Sequence, residues 1–184
     1  IIQETGREVF CYTAGFMEGD TKLPEDIEVA EETAKDMNFS LRSKIIDSLE
    51  TESYLEKVAS LIGEADVVKV GVALPFYIAC EMAKEDGVRV IFSGLGSEEI
   101  FAGYERHRQA QDINEECKAG LLGMHKRDLY RDDLVTMAHT IELRLPFLDK
   151  QLVNYALRMP ATEKMSSGVE KAILRDVASE LGVV

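Results

Sequence analysis

The chain has 184 residues, 46% hydrophobic and 30% charged, with four prolines: enough apolar surface for one folded domain and too much for a disordered segment. Thirty-four acidic against 21 basic residues leave a net charge of -13, and the basic clusters at 106–108 and 125–127 are short, so no nucleic-acid partner is expected. No apolar run has the length of a membrane span, no secretory leader pattern opens the chain, and Cys11, Cys80 and Cys117 show no paired spacing, so a protein of the reducing cytoplasm is expected, with no membrane partner, no disulfide framework and no zinc site.

In chain order, the opening IIQETG has the form of a helix end stopped by Gly6. Val9 to Ala14 is a short apolar run that predicts a buried strand ending at Gly15. Pro24 precedes EDIEVAEETAKDMN, where Ile27, Ala30, Ala34 and Met37 recur at helical spacing behind an acidic first turn. FSLRSKII predicts a second strand, and ESYLEKVASLIG a helix with Leu55, Val58, Ala59 and Ile62 on one face. VALPFYIACEMAKEDG suits a buried helix with Pro75 in its first turn and Gly87 as its stop, followed by a strand from Val88 to Phe92. Alternating strands and helices, with near-continuous apolar strands, predict an α/β fold: a parallel sheet with helices on both faces. From Glu98 onward no further strand is expected. The remainder is a helical C-terminal region that takes in EEIFAGYERHRQ, INEECKAGLLG, KRDLYRDDLVTMAHT, a loop at LRLPFLD, KQLVNYALRM and VEKAILRDVASELG.

The segment SGLGSEE, Ser93 to Glu99, follows the apolar VRVIF and opens a helix. Gly94 and Gly96 allow close backbone approach, and free N–H groups at a helix start favour phosphate. A plain strand-to-helix turn, with Ser97 as cap and the glutamates complementing the dipole, explains the same residues equally well. It lacks the third glycine of a dinucleotide fingerprint, and no Walker motif occurs. His107, His125 and His139 have no ligand spacing with one another, and the Asp132-Asp133 pair suits a solvated helix face rather than a contact with substrate. Lys171 and Arg175, one turn apart, serve phosphate or a packing salt bridge equally.

Three segments together carry a resemblance: SGLGSEEIFAGYERHR, AHTIELRLPFLDK (Ala138 to Lys150) and EKAILRD (Glu170 to Asp176) are similar, in order and spacing, to the SGxGxDE, GxExRxPFLD and EKxxLR segments of the synthetase domain of asparagine synthetases, ATP-pyrophosphatases. FCYTAGF stands in the place of that family's F-A-V-G strand, so the resemblance spans nearly the whole chain. It implies an ATP-dependent amide-forming ligase: a side-chain carboxylate is adenylated with release of pyrophosphate, and ammonia displaces AMP. By position it implies that Ala14 lines the adenine pocket with Thr13 beside it, that Ser93, Gly94, Gly96 and Ser97 contact the nucleotide, that Glu98 stands at the Mg²⁺ position, and that Glu142 lies near the acyl-adenylate. The implied partners are ATP, aspartate or another carboxylate, and ammonia or a glutaminase domain.

Three departures qualify the resemblance. The family's SGGxDS pyrophosphate loop and its RxKxxF lysine segment do not occur, so residues 1–184 are expected to be part of the synthetase domain and inactive alone. Glu98 replaces an aspartate. Leu95 stands where asparagine synthetases usually have a glutamate; leucine cannot take a proton from an amine, which puts the acceptor in question and leaves Glu142 or Glu99 as the nearest carboxylates by sequence. The alternatives are a sibling enzyme that amidates or cyclises a different carboxylate, and a nucleotide-binding module without catalysis. The oligomeric state stays open.

Overall fold

The computed structural model describes residues 6, 9–17 and 23–183, so the predicted opening helix lies outside the described residues, Gly6 apart. The chain forms two compact units: residues 1–89 with 131–142, and residues 90–130 with 143–184.

In the first unit, β1 (Phe10–Phe16) and β2 (Ser40–Ile46) pair in parallel from Phe10 opposite Ser40 to Phe16 opposite Ile46. Helix α1 (Glu25–Asp36) has the expected acidic first turn and buries Ile27 and Ala34. Helix α2 (Ser48–Ile62) starts at an Asp47–Glu50 capping box and ends at Gly63. Helix α3 (Val67–Glu85) starts where the Asp66 side chain accepts the Lys69 N–H at 2.8 Å. Side chains alternate along β1. Tyr12 and Ala14 pack with Ile46, Tyr54, Ile78 and Met82 on the α2–α3 side. On the other face a Cβ at Gly15 would stand 2.8 Å from Ile27 Cγ1, which brings α1 hard against the strand. Helices therefore cover both faces, as the pattern predicted.

Two details differ from expectation. The buried stripe of α2 is Tyr54, Val58 and Ile62, whereas Leu55 is exposed. The Tyr54 hydroxyl receives a hydrogen bond from Lys44 Nζ (2.7 Å) and donates to Glu81, so a polar tip gives the ring a place at the sheet that leucine does not need. Pro75 is not in a first turn: the Asp66 cap starts α3 eight residues earlier and leaves the proline inside the helix. Also in this unit, Asp132 is buried rather than solvated; it accepts from Arg131 Nε at 2.6 Å. Cys80 is buried too, and burial, with Asp132 adding, pushes its thiol pKa up to about 12, so it behaves as a small hydrophobe.

In the second unit, β3 (Val90–Phe92) runs alongside β4 (Glu142–Arg144), whose last two residues belong to this unit; the Ser93 N–H donates to the Arg144 carbonyl at 3.1 Å. The strand at 142–144 was not expected: three residues with a charge at either end carry no apolar run, and only a partner strand defines them. The helices are α4 (Ser97–Phe101), α5 (Glu105–Gln109), α6 (Ile113–Met124), α7 (Tyr130–Ala138, from residue 131 in the first unit), α8 (Lys150–Arg158), α9 (Ala161–Lys164) and α10 (Ala172–Glu180). A π-turn (His125–Leu129) joins α6 to α7, and a 3₁₀ turn (Pro146–Leu148) precedes α8. The predicted helix through EEIFAGYERHRQ breaks into α4 and α5, because Ala102 takes a left-handed φ of 58°. Ile100, Phe101, Ala156 and Met159 form the core, with Phe101 edge-on to Phe147 at 6.3 Å. Among the described residues no helix is long and apolar enough to cross a membrane.

Lys164, in α9, is fully buried, and its Nζ has no hydrogen-bond partner among the described residues. Burial lowers its pKa. The unfolded chain then binds more protons than the folded one, so this group's contribution to stability rises with pH across the interval between the two pKa values. Lys164→Met is expected to stabilise the protein by about 1 kcal/mol or more at neutral pH and to flatten that alkaline dependence. Urea melts at pH 7 and pH 10 check it; a variant less stable at both would show that the ammonium has partners.

Candidate active site

The first unit holds a cavity of about 240 Å³ at the C-terminal end of β1, lined by Ala14, Gly15, Phe16, Pro24, Asp26, Ile46 and, from α3, Gly71, Leu74, Pro75 and Ile78. Ligands of open parallel sheets bind beyond the carboxyl ends of the strands, which is where this cavity lies. Ala14 is in its wall. Thr13 does not line it, although Gly15, two residues on along the same face of β1, does. The volume falls below the roughly 300–1,000 Å³ of pockets that enclose a drug-sized ligand, which suits a single planar base.

The second unit holds the SGLGSEE turn. The Leu95 N–H donates to Ser93 Oγ (3.2 Å) and the Ser97 N–H to the Gly94 carbonyl (3.2 Å), so two of the amides expected to face an anion hold the turn itself. Gly96 is the N-cap, at a φ of 101° open to glycine, and Ser97 is the first helical residue rather than the cap. With only five residues, α4 has little macrodipole, so affinity for an anion here must come from side chains.

Those side chains are present. Ser97, Lys171 and Arg175 share the lining of a cavity of about 270 Å³ with Phe147, Leu174 and Ala178. Ser97 Oγ donates to Glu98 Oε2 at 2.6 Å and Lys171 Nζ to Glu98 Oε1 at 2.8 Å. Burial alone would raise the Glu98 pKa; the hydrogen bonds from Lys171 and Ser97 outweigh it and hold the carboxyl below its ordinary range. Lys171 is not inside the last helix, as its spacing from Arg175 suggested. It precedes α10 at a left-handed φ of 51°, a backbone turn that directs its ammonium to Glu98. Gly103 makes the room: a Cβ there would lie 2.9 Å from Glu98 Cγ and 3.0 Å from Lys171 Cδ. Sequence reasoning passed over Gly103, and the only signal for it was a glycine closing a short helix.

Of the other residues, Leu95 is half-buried, and Glu142, at the start of β4, is exposed, its N–H on the Arg89 carbonyl at 2.8 Å. Glu99 is fully buried; burial raises its pKa, and Arg127 Nη2 lies 3.8 Å from its Oε1. A carboxyl sealed in this way is a poor candidate to meet an incoming amine. Glu98 suits magnesium as one hard oxygen donor, an ion that takes one or two carboxylates and completes its shell with phosphate and water; among the described residues no cluster of three acidic, histidine or cysteine side chains offers a dedicated cage.

The sequence profile of the asparagine synthase family matches residues 1–118 and 108–181. A Methanocaldococcus jannaschii protein, provisionally named asparagine synthetase (glutamine-hydrolyzing) 1, is 44% identical over 86% of this chain and 30% of its own length. Asparagine synthetase B (glutamine-hydrolyzing) of Escherichia coli is 34% identical over 60% of this chain and 21% of its own, and the asparagine synthetase (glutamine-hydrolyzing) of Brassica oleracea is 29% identical over 92% and 29%. The chain spans less than a third of the length of these relatives. With the profile match running through nearly all of it, the chain belongs to the asparagine synthase family.

Proposed function

We propose that this chain is part of the synthetase domain of an ATP-dependent amide-forming ligase that makes asparagine from aspartate. The side-chain carboxylate oxygen of aspartate attacks the α-phosphorus of ATP, pyrophosphate leaves, and ammonia displaces AMP from the resulting β-aspartyl-adenylate. The observation that supports this best is the ion pair of Lys171 with Glu98, where Lys171 lines one cavity with Ser97 and Arg175, inside a family match. Lys171 and Arg175 neutralise charge on the departing pyrophosphate. Ser93, Gly94, Gly96 and Ser97 give the nucleotide close backbone approach, Ala14 walls the base, and Glu142 faces the acyl group. Glu98 would hold magnesium, which would supply further charge neutralisation. The relatives' names say glutamine-hydrolyzing, so the nitrogen comes from a glutaminase domain or from free ammonia. The three free cysteines fit the reducing cytoplasm.

The test is AMP and pyrophosphate formation by the full-length protein, expected with aspartate and either glutamine or ammonia. Nucleotide binding with no turnover on any carboxylate would replace the reading with a binding module. Leu95 favours one further reading, a less polar carboxylate as acceptor. Leu95→Glu in the full-length protein separates them: amide formation from aspartate holds or rises if aspartate is native, whereas turnover of an apolar acceptor falls because a charge replaces its apolar wall.

A further inference from the structure

The basic run Arg106, His107 and Arg108 in α5 has no part in the chemistry proposed above, and its side chains go separate ways. Arg106 lies over the Tyr104 ring at 4.0 Å and meets Glu116 at 3.1 Å, while His107 is fully buried and its Nδ1 accepts from the Tyr104 N–H. Arg108 reaches a residue 62 positions away: its Nε donates to Glu170 Oε1 at 2.8 Å, closer than the 3.6 Å to Glu105 in its own helix. Glu170 is the residue before Lys171.

The backbone on either side of Glu170 runs through left-handed turns. Ser166 and Val169 close a tight hairpin through paired backbone hydrogen bonds of 3.2 and 2.8 Å, with Ser167 and Gly168 at φ of 52° and 77°. Lys171 follows at a φ of 51°, a region that a residue with a Cβ occupies where its surroundings impose it. Here they impose it on both peptide groups that flank its Cα. The Lys171 carbonyl accepts from the Leu174 and Arg175 N–H groups at 2.9 and 3.1 Å, and the Glu170 carbonyl accepts from Arg175 Nε at 3.0 Å. These bonds set the turn against α10. A second anchor, the Arg108 ion pair, ties Glu170 to α5. From a backbone held in this way the Lys171 ammonium reaches Glu98 Oε1 at 2.8 Å.

We infer that Arg108 and Glu170 are positioning residues: their ion pair anchors the turn before α10, so that Lys171 holds its ammonium on Glu98 and at the cavity it lines with Ser97 and Arg175. The inference rests on the reading of that cavity as the place where pyrophosphate departs. Neither Arg108 nor Glu170 lines it, so the pair acts through Lys171. An ion pair as exposed as this one adds little to global stability, and its effect is confined to where the lysine stands.

The test is equilibrium binding of inorganic pyrophosphate, with single-turnover pyrophosphate release alongside. It uses full-length protein carrying Arg108→Gln, Glu170→Gln or Lys171→Ala, and each of the first two combined with the third. Arg108→Gln and Glu170→Gln are each expected to weaken binding and slow release about fivefold, the upper end for a solvent-facing ion pair. In the Lys171→Ala background neither has a further effect, because the group they position is gone. Arg108→Lys keeps the charge and recovers part of the loss. The signs separate positioning from bulk charge. Removal of a cation and removal of an anion change the field at the cavity in opposite directions, whereas loss of the anchor acts the same way in both. Opposite shifts in the two variants, effects that persist in full without Lys171, or wild-type behaviour of both overturn the inference. A Lys171→Ala protein that binds and releases pyrophosphate as the wild type does overturns the reading of the cavity, and the inference with it.

Discussion

Replacement of Lys171 by alanine is expected to lower pyrophosphate release by the full-length enzyme about a hundredfold or more, with little effect on base recognition. Lys171 is the cation that meets Glu98 at 2.8 Å and lines the cavity with Ser97 and Arg175. Removal of one preorganised charge that faces a developing anion commonly costs on the order of a hundredfold in kcat. Lys171→Arg keeps the charge but changes its shape, so partial rescue is expected. A pH signature accompanies the loss. Because the folded-state pKa of Glu98 is depressed, its stabilising contribution is complete above the unfolded pKa and disappears as pH falls through the folded one. Without Lys171 its hydrogen bond and charge no longer lower the Glu98 pKa, which rises from its folded value, and both acid unfolding and the acidic limb of the rate profile move to higher pH. Acid unfolding followed by circular dichroism and single-turnover AMP formation between pH 4 and pH 8 measure the two. Full activity with an unmoved acidic limb would show that the Glu98–Lys171 pair is only a structural strut.

Gly96→Ala is expected to destabilise the protein by roughly 2–5 kcal/mol, from backbone strain and overpacking together. The φ of 101° disfavours any side chain, and a Cβ there would stand 2.6 Å from Leu148 Cδ2 and 3.0 Å from its Cγ. Gly94 is the control two residues away. A Cβ at Gly94 meets nothing within 4 Å, so Gly94→Ala should fold within about 0.5 kcal/mol of wild type. If the nucleotide approaches the backbone at Gly94, that variant loses ATP affinity while its melting curve stays in place. Denaturant midpoints and ATP binding for both variants decide the matter. A well-folded Gly96→Ala would mean that the 146–148 turn yields easily, and equal destabilisation of the two would mean that the turn is not packed as described.

The sequence by itself determined the elements whose cause is local. The stripe of Ile27 and Ala34 behind an acidic first turn set α1, the run from Val9 to Ala14 set β1, and Gly63 and Gly87 marked where helices end, because periodicity and caps act over a few residues. It also carried the family, since three short segments in fixed order need no coordinates. What required the tertiary structure was each feature that depends on residues distant in the chain. Glu98 and Lys171 are 73 positions apart, and their pairing rests on the left-handed backbone at Lys171 and the missing side chain of Gly103, neither of which has a periodic signal. The strand at 142–144 exists through its pairing with 90–92, and Tyr54 displaces Leu55 from the core because its hydroxyl accepts from Lys44 and donates to Glu81. Lys164 gave no sign of burial, since a lysine near the end of a short amphipathic segment reads as solvated until the surrounding helices close over it. Local free energies of the chain are written in neighbouring residues, whereas contacts across long loops are paid for by burial that only the assembled unit provides.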